Sequence, residues 1–151
     1  MKEILLGSVS ASRSRNMAAI RSRDTQPELF VRRAVHAAGF RYSLKRRDLQ
    51  GKPDLVFPRY GLTVFVHGCF WHGHICHEAK RPRTNLAYWT PKIEGNMTRD
   101  KKTAAKLRRS GWTVVTIREC RLSVGVERLL TLLRDLRRDR NSGDHVEFTS
   151  P

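Results

Sequence analysis

A chain of 151 residues has room for one domain with a substantial core and hardly for two, and an apolar content of 39% excludes wholesale disorder. The 30 Lys and Arg against 14 Asp and Glu give a net charge of +16, a field that selects polyanionic partners and leaves the fold undetermined. Nucleic acid leads over anionic membrane, because no apolar run approaches the roughly 18 residues of a membrane span and no lipidation signal is present.

The opening MKEILLGSVS is too brief for a signal peptide, and the expected location is cytoplasmic. One domain is expected over 1–151, with a basic arm over 1–24 that holds SRSRNMAAIRSRD, and a polar, flexible tail over 140–151. A helix is predicted to start at Thr25-Gln26-Pro27-Glu28. There Thr25 caps, Pro27 suits the first turn and Glu28 completes a capping box. Leu29, Val31, Ala34, Val35 and Ala38 give it an apolar side, and Gly39 ends it.

Phe40, Tyr42 and Leu44 alternate with polar residues as in a half-buried strand. After the basic Lys45-Arg46-Arg47, the runs Asp54–Phe57 and Leu62–Val66 flank Pro58-Arg59-Tyr60-Gly61 and read as a hairpin. Pro91 to Ser110 reads as a helix closed by Gly111 and weakened at Gly95. The apolar WTVVTI, 112–117, suits a strand covered on both faces. Val126, Leu129, Leu130, Leu133 and Leu136 mark a last amphipathic helix. The sum is an α/β fold, a small mixed sheet flanked by helices.

Between the hairpin and the long helix lies VHGCFWHGHIC, residues 66–76, with three histidines, two cysteines and two large aromatics. The three cysteines of the chain, Cys69, Cys76 and Cys120, are an odd number, which argues against a disulfide framework. Cys69, His74 and Cys76 are spaced C-x4-H-x-C, and Cys120 follows the apolar strand. Together they are expected to be four ligands for a closed, structural zinc site, with His72 as an alternative to His74 and buried thiols beside a hydrogen-bonded histidine as the competing reading.

Asp54, at the start of a strand after Pro53, is placed to hold Mg²⁺, a hard cation that favours oxygen, and equally to end a turn. With zinc satisfied, His67 and His72 are left over, and either imidazole suits a general base near neutral pH. Glu28 and Asp100 carry no such signal of their own, one serving as a cap and the other as a member of a charged helix face. Phe70, Trp71 and Trp89 sit among basic residues, where aromatics stack on bases or wedge between them, or form a small satellite core.

GKPDLVF, HGCFWHGHIC, NMTRD and GWTVVTIREC, in that order, resemble the motifs of very-short-patch repair (Vsr) DNA mismatch endonucleases, over about Arg13 to Arg121. The resemblance implies a fold akin to restriction endonucleases with an added zinc site. It also implies a Mg²⁺-dependent nick of one strand, 5′ to the thymine of a T:G mismatch in a methylated-cytosine context. By position, Asp54 would bind Mg²⁺, and His72 would be the general base, supported by His67, Asp100 and Glu28. Cys69, His74, Cys76 and Cys120 would hold zinc. Phe70, Trp71 and Trp89 would insert beside the mismatch, with Met17 reaching the opposite groove. The implied partners are mismatched duplex DNA and mismatch-repair proteins, met by a monomer at the bacterial nucleoid and away from membranes.

Two departures stand out. Val66 replaces a Thr that some members carry, and no second acid or lysine follows Asp54 in the restriction-type pattern. The competing readings are a zinc-containing DNA-binding module without catalysis and a nuclease acting on unmismatched DNA.

Overall fold

A computed structural model describes residues 23–77 and 82–143. Helix α1 spans Gln26–Ala37, β1 Leu55–Phe57, β2 Leu62–His67, α2 Leu86–Arg109, β3 Thr113–Arg118 and α3 Leu122–Gly143. The three strands form a mixed sheet in the order β1-β2-β3, with β2 antiparallel to β1 and parallel to β3. The α/β expectation therefore holds. Among the described residues no helix is long and apolar enough to cross a membrane.

The hairpin forms where expected, with Leu55 opposite Val64 and Phe57 opposite Leu62. Side chains alternate across a strand, so one face of the sheet presents Leu55, Phe57, Leu62, Val64, Val66 and Ile117. Val31 and Val35 of α1 and Val126, Leu129 and Leu133 of α3 close over that face as a single core. Thr25 Oγ1 accepts the Glu28 N–H at 3.5 Å, as the capping-box reading anticipated. The Glu28 carboxylate in turn accepts the Thr25 hydroxyl at 3.1 Å and the Asp24 N–H at 3.0 Å.

Four expectations change. The strand over 40–44 shrinks to one bridge, Ser43 with Val56. The alternation there reflects ring packing, Phe40 on Tyr60 and Tyr42 on Phe57, each at 6.1 Å, before the left-handed Lys45 turns the chain away. The run expected to be covered on both faces is edge strand β3, which buries only Ile117, whereas the central β2 buries four of its six residues. Helix α2 begins five residues before Pro91. The Asn85 carbonyl accepts the Tyr88 and Trp89 N–H groups, and the Trp89 ring packs on Phe70 and Trp71. Pro91 then lies inside the helix as its sixth residue, where its missing N–H removes one i→i−4 hydrogen bond. Finally, α3 carries the chain past Arg140, where a tail was expected, to Gly143.

Candidate active site and metal centre

The hairpin register determines where the first functional group lies. Asp54 precedes β1, its N–H donates to the Val64 carbonyl at 2.9 Å, and its Oδ2 accepts the Val66 N–H at 2.7 Å. The carboxylate is thus tied across the hairpin to the strand that ends in His67. Burial pushes the Asp54 carboxyl up to about 6, against the opposing pull of the Val66 hydrogen bond. Its second oxygen makes no hydrogen bond among the described residues.

Phe65 and His67 point to the sheet face opposite the main core, where a cleft of about 1060 Å³ opens between the strands and α2. Asp54, His67 and His72 line it, as do Met97, Asp100 and Thr103 of α2. His72 Nδ1 lies 2.5 Å from Asp100 Oδ2, and the His67 and His72 rings stack at 3.7 Å. A carboxylate oxygen accepts, so Nδ1 is the donor of this pair and Nε2 is the ring nitrogen that the pair leaves unused. Burial, and then the neighbouring His72, pulls His67 down to about 4, so this ring is neutral at pH 7. Glu28 also lines the cleft, buried and ion-paired with Arg32 at 3.1 Å.

The second imidazole of the loop goes elsewhere. His74 joins Cys69, Cys76 and Cys120, with the four ligand atoms all within 4.8 Å of one another. Cys120 Sγ is 3.5 Å from His74 Nδ1. Three sulfurs and one imidazole nitrogen form a soft donor set that could hold a metal ion. Burial raises the Cys69 thiol to about 11, the direction a bound cation reverses. His72, the alternative ligand, belongs instead to the separate group of His67, His72 and Asp100.

Between the two imidazoles, Gly73 takes φ +63°, and a Cβ there would run into Met97 Sδ and Ile93 Cγ2. The loop therefore lies directly on α2, which brings His72 to Asp100. Gly68 and Cys69 carbonyls accept the His72 and His74 N–H groups at 3.3 and 3.1 Å, so the loop is wound on itself rather than extended.

Phe70, Trp71 and Trp89 form one cluster, with centroids 5.1 to 6.0 Å apart and all three half-buried. Met17 and the arm up to residue 22 lie outside the described residues. Three groups at this site were missed by the reading of the residue pattern. Asn96 Nδ2 donates to the Trp71 carbonyl at 3.0 Å, Arg32 holds Glu28, and the Val66 N–H holds Asp54. Asn96 could have been found, since it stands four residues before Asp100 on one helix face. A backbone N–H has no such mark.

The chain is similar to one described family and to several known proteins. The family described as DNA mismatch endonuclease Vsr matches residues 8–78. A type II nicking enzyme, V.XorIIP, of Xanthomonas oryzae pv. oryzae is 49% identical over 107 residues, 71% of this chain and 79% of that protein. Another, V.NmeAIP of Neisseria meningitidis, is 38% identical over 85% of this chain and 94% of its own length. The DNA mismatch endonuclease Vsr of Escherichia coli is 39% identical over 74% of this chain and 72% of its own.

Proposed function

The chain belongs to the Vsr family of DNA mismatch endonucleases, and we propose that it nicks one strand of duplex DNA on the 5′ side of the thymine in a T:G mismatch. Such mismatches arise when 5-methylcytosine deaminates within the target of a DNA-cytosine methyltransferase. The observation that carries the reading is the His72–Asp100 hydrogen bond, in a cleft shared with Asp54 and outside the Cys/His ligand set. The fold we take to be akin to that of restriction endonucleases, with Asp54 at the strand start as its metal-binding acid.

Mg²⁺ is usually held by one or two carboxylates together with water and substrate phosphate, and the free Asp54 oxygen meets that need. When bound, the ion supplies charge neutralisation at the phosphodiester and a more acidic water. The protein's own residues do the rest. His72 Nε2 takes a proton from the attacking water, while Asp100 keeps the ring in the right tautomer and stabilises the imidazolium that forms. Neutral His67, stacked on His72, shields that ring from bulk water, and Glu28 sets the potential around Asp54 through its pairing with Arg32.

The four-ligand set of Cys69, His74, Cys76 and Cys120 suits zinc, which needs no open position for a structural role. It fastens the loop to the end of β3, so that His72 is presented from a fixed base. The half-buried Phe70, Trp71 and Trp89 are the wedge that enters beside the mismatch, where weakened pairing lowers the cost of unstacking.

Incubating the protein with T:G and matched C:G duplexes plus Mg²⁺ tests the reading. A single nick 5′ to the mismatched thymine, with the matched duplex intact, is expected. Equal cleavage of both would remove the mismatch specificity, and tight T:G binding without product would favour a DNA-binding module without catalysis.

A further inference from the structure

Asp54 is approached through two consecutive left-handed residues, Gly51 at φ +79° and Lys52 at φ +50°. Glycine takes this conformation freely, but for lysine it costs about 1 kcal/mol. Of the four described non-glycine residues with positive φ, Asp24, Lys45, Lys52 and Asn85, only Lys52 lines the cleft.

The packing leaves the segment no other course. A Cβ at Gly51 would overlap Thr103 Cγ2, so the backbone lies against α2 there. Pro53 is buried and fixes its own φ, and Asp54 is tied by its N–H and its carboxylate to Val64 and Val66. Strained backbone of this kind persists where its surroundings over-determine it, and it concentrates at functional sites. The residue that takes this conformation is a lysine whose side chain is exposed and, among the described residues, has no hydrogen bond or ion pair. Two cleft acids nearest the chemistry are already engaged, Asp100 with His72 and Glu28 with Arg32, so neither draws the ammonium away.

We propose that Lys52 is a further substrate-binding residue of the nicking reaction, its ammonium contacting a non-bridging oxygen of the scissile phosphodiester beside Asp54. This rests on the nuclease reading above. The cation neutralises charge on the incoming phosphate and counters the additional charge that builds on its oxygens during attack. It forms and breaks no covalent bond.

Four forms of the full chain test this: wild type, Lys52→Met, Lys52→Arg and Lys52→Gly. Two quantities are read, the salt dependence of T:G duplex binding and the single-turnover nicking rate at saturating protein. Loss of one phosphate contact is expected to lower the slope of log K against log salt by about 0.9 for Met and Gly, with Arg near wild type. Nicking is expected to fall about 10- to 100-fold for Met and Gly.

Lys52→Gly removes the backbone strain, so its melting temperature is expected to be no lower than wild type. This variant keeps the test open should Met fold poorly. Wild-type slope and rate in Lys52→Met would overturn the proposal, as would full activity in Lys52→Gly. A lowered slope with an unchanged rate would overturn the assignment to the scissile phosphate. If wild type binds but does not nick, the nuclease reading fails and the scissile assignment with it, while the slopes still decide whether Lys52 contacts phosphate.

Discussion

Replacing Asp54 with Asn is expected to lower T:G nicking by at least about 10³-fold, roughly 4 kcal/mol of barrier, while mismatch binding is kept. The substitution is nearly isosteric, and an amide oxygen can still accept the Val66 N–H that Asp54 Oδ2 accepts at 2.7 Å. What it removes is the charge that would hold the divalent cation. Burial drives the Asp54 carboxyl up to about 6, so its ionised form is a cost to the folded state at neutral pH. Asn removes that cost, and the melting temperature is expected to stay level or rise. Binding of DNA is expected to stay level or tighten, since one negative charge leaves the cleft. Asp54→Ala is a poorer probe because it strands the Val66 N–H, at about 1 kcal/mol. Nicking within tenfold of wild type in Asp54→Asn, at any Mg²⁺ concentration, would remove Asp54 from the chemistry.

The second large effect concerns the Cys/His centre. The stretch from Gly68 to Cys76 contains turns and loop but no helix or strand, and it is joined to the end of β3 through Cys120. A structural zinc contributes on the order of 10 kcal/mol to ordering its ligands, comparable with the entire stability of a domain this size. Elemental analysis is expected to find about one zinc per chain. Cys120→Ser is expected to lose the metal, melt far below wild type and nick no DNA, although Cys120 lies 44 residues from Cys76 in the chain. Chelator treatment of the wild type is expected to do the same. A metal-free protein that melts and nicks as before would show the four residues to be ordinary thiols and a hydrogen-bonded imidazole.

Much of this was legible in the residue pattern. The hairpin, both outer helices and the capping box followed from periodicity and turn chemistry, because local preference and burial agree there. The C-x4-H-x-C spacing with Cys120 brought together the same four residues that meet in space.

The rest failed for identifiable reasons. β3 and β2 are similar apolar runs, and only strand order makes one an edge and the other the centre. The start of α2 was hidden by Pro91, since ring packing by Trp89 on a distant loop outweighs the local signal. The choice between His72 and His74 as ligand was open because both lie in one loop. In the fold the two part, His74 to the three cysteines and His72 to Asp100, 28 residues away. Lys52 carried no mark in the residue pattern, because a positive φ in lysine is visible only in the folded backbone.

The central claim is that one short loop serves two separate centres, with His74 in the metal set and His72 in the chemistry. Zinc content and nicking rate measured together on His72→Ala test it most directly. The expected result is a full complement of zinc, near-wild-type T:G binding, and nicking reduced by about 10² to 10⁴-fold. Loss of zinc from His72→Ala, or nicking at the wild-type rate, would contradict it.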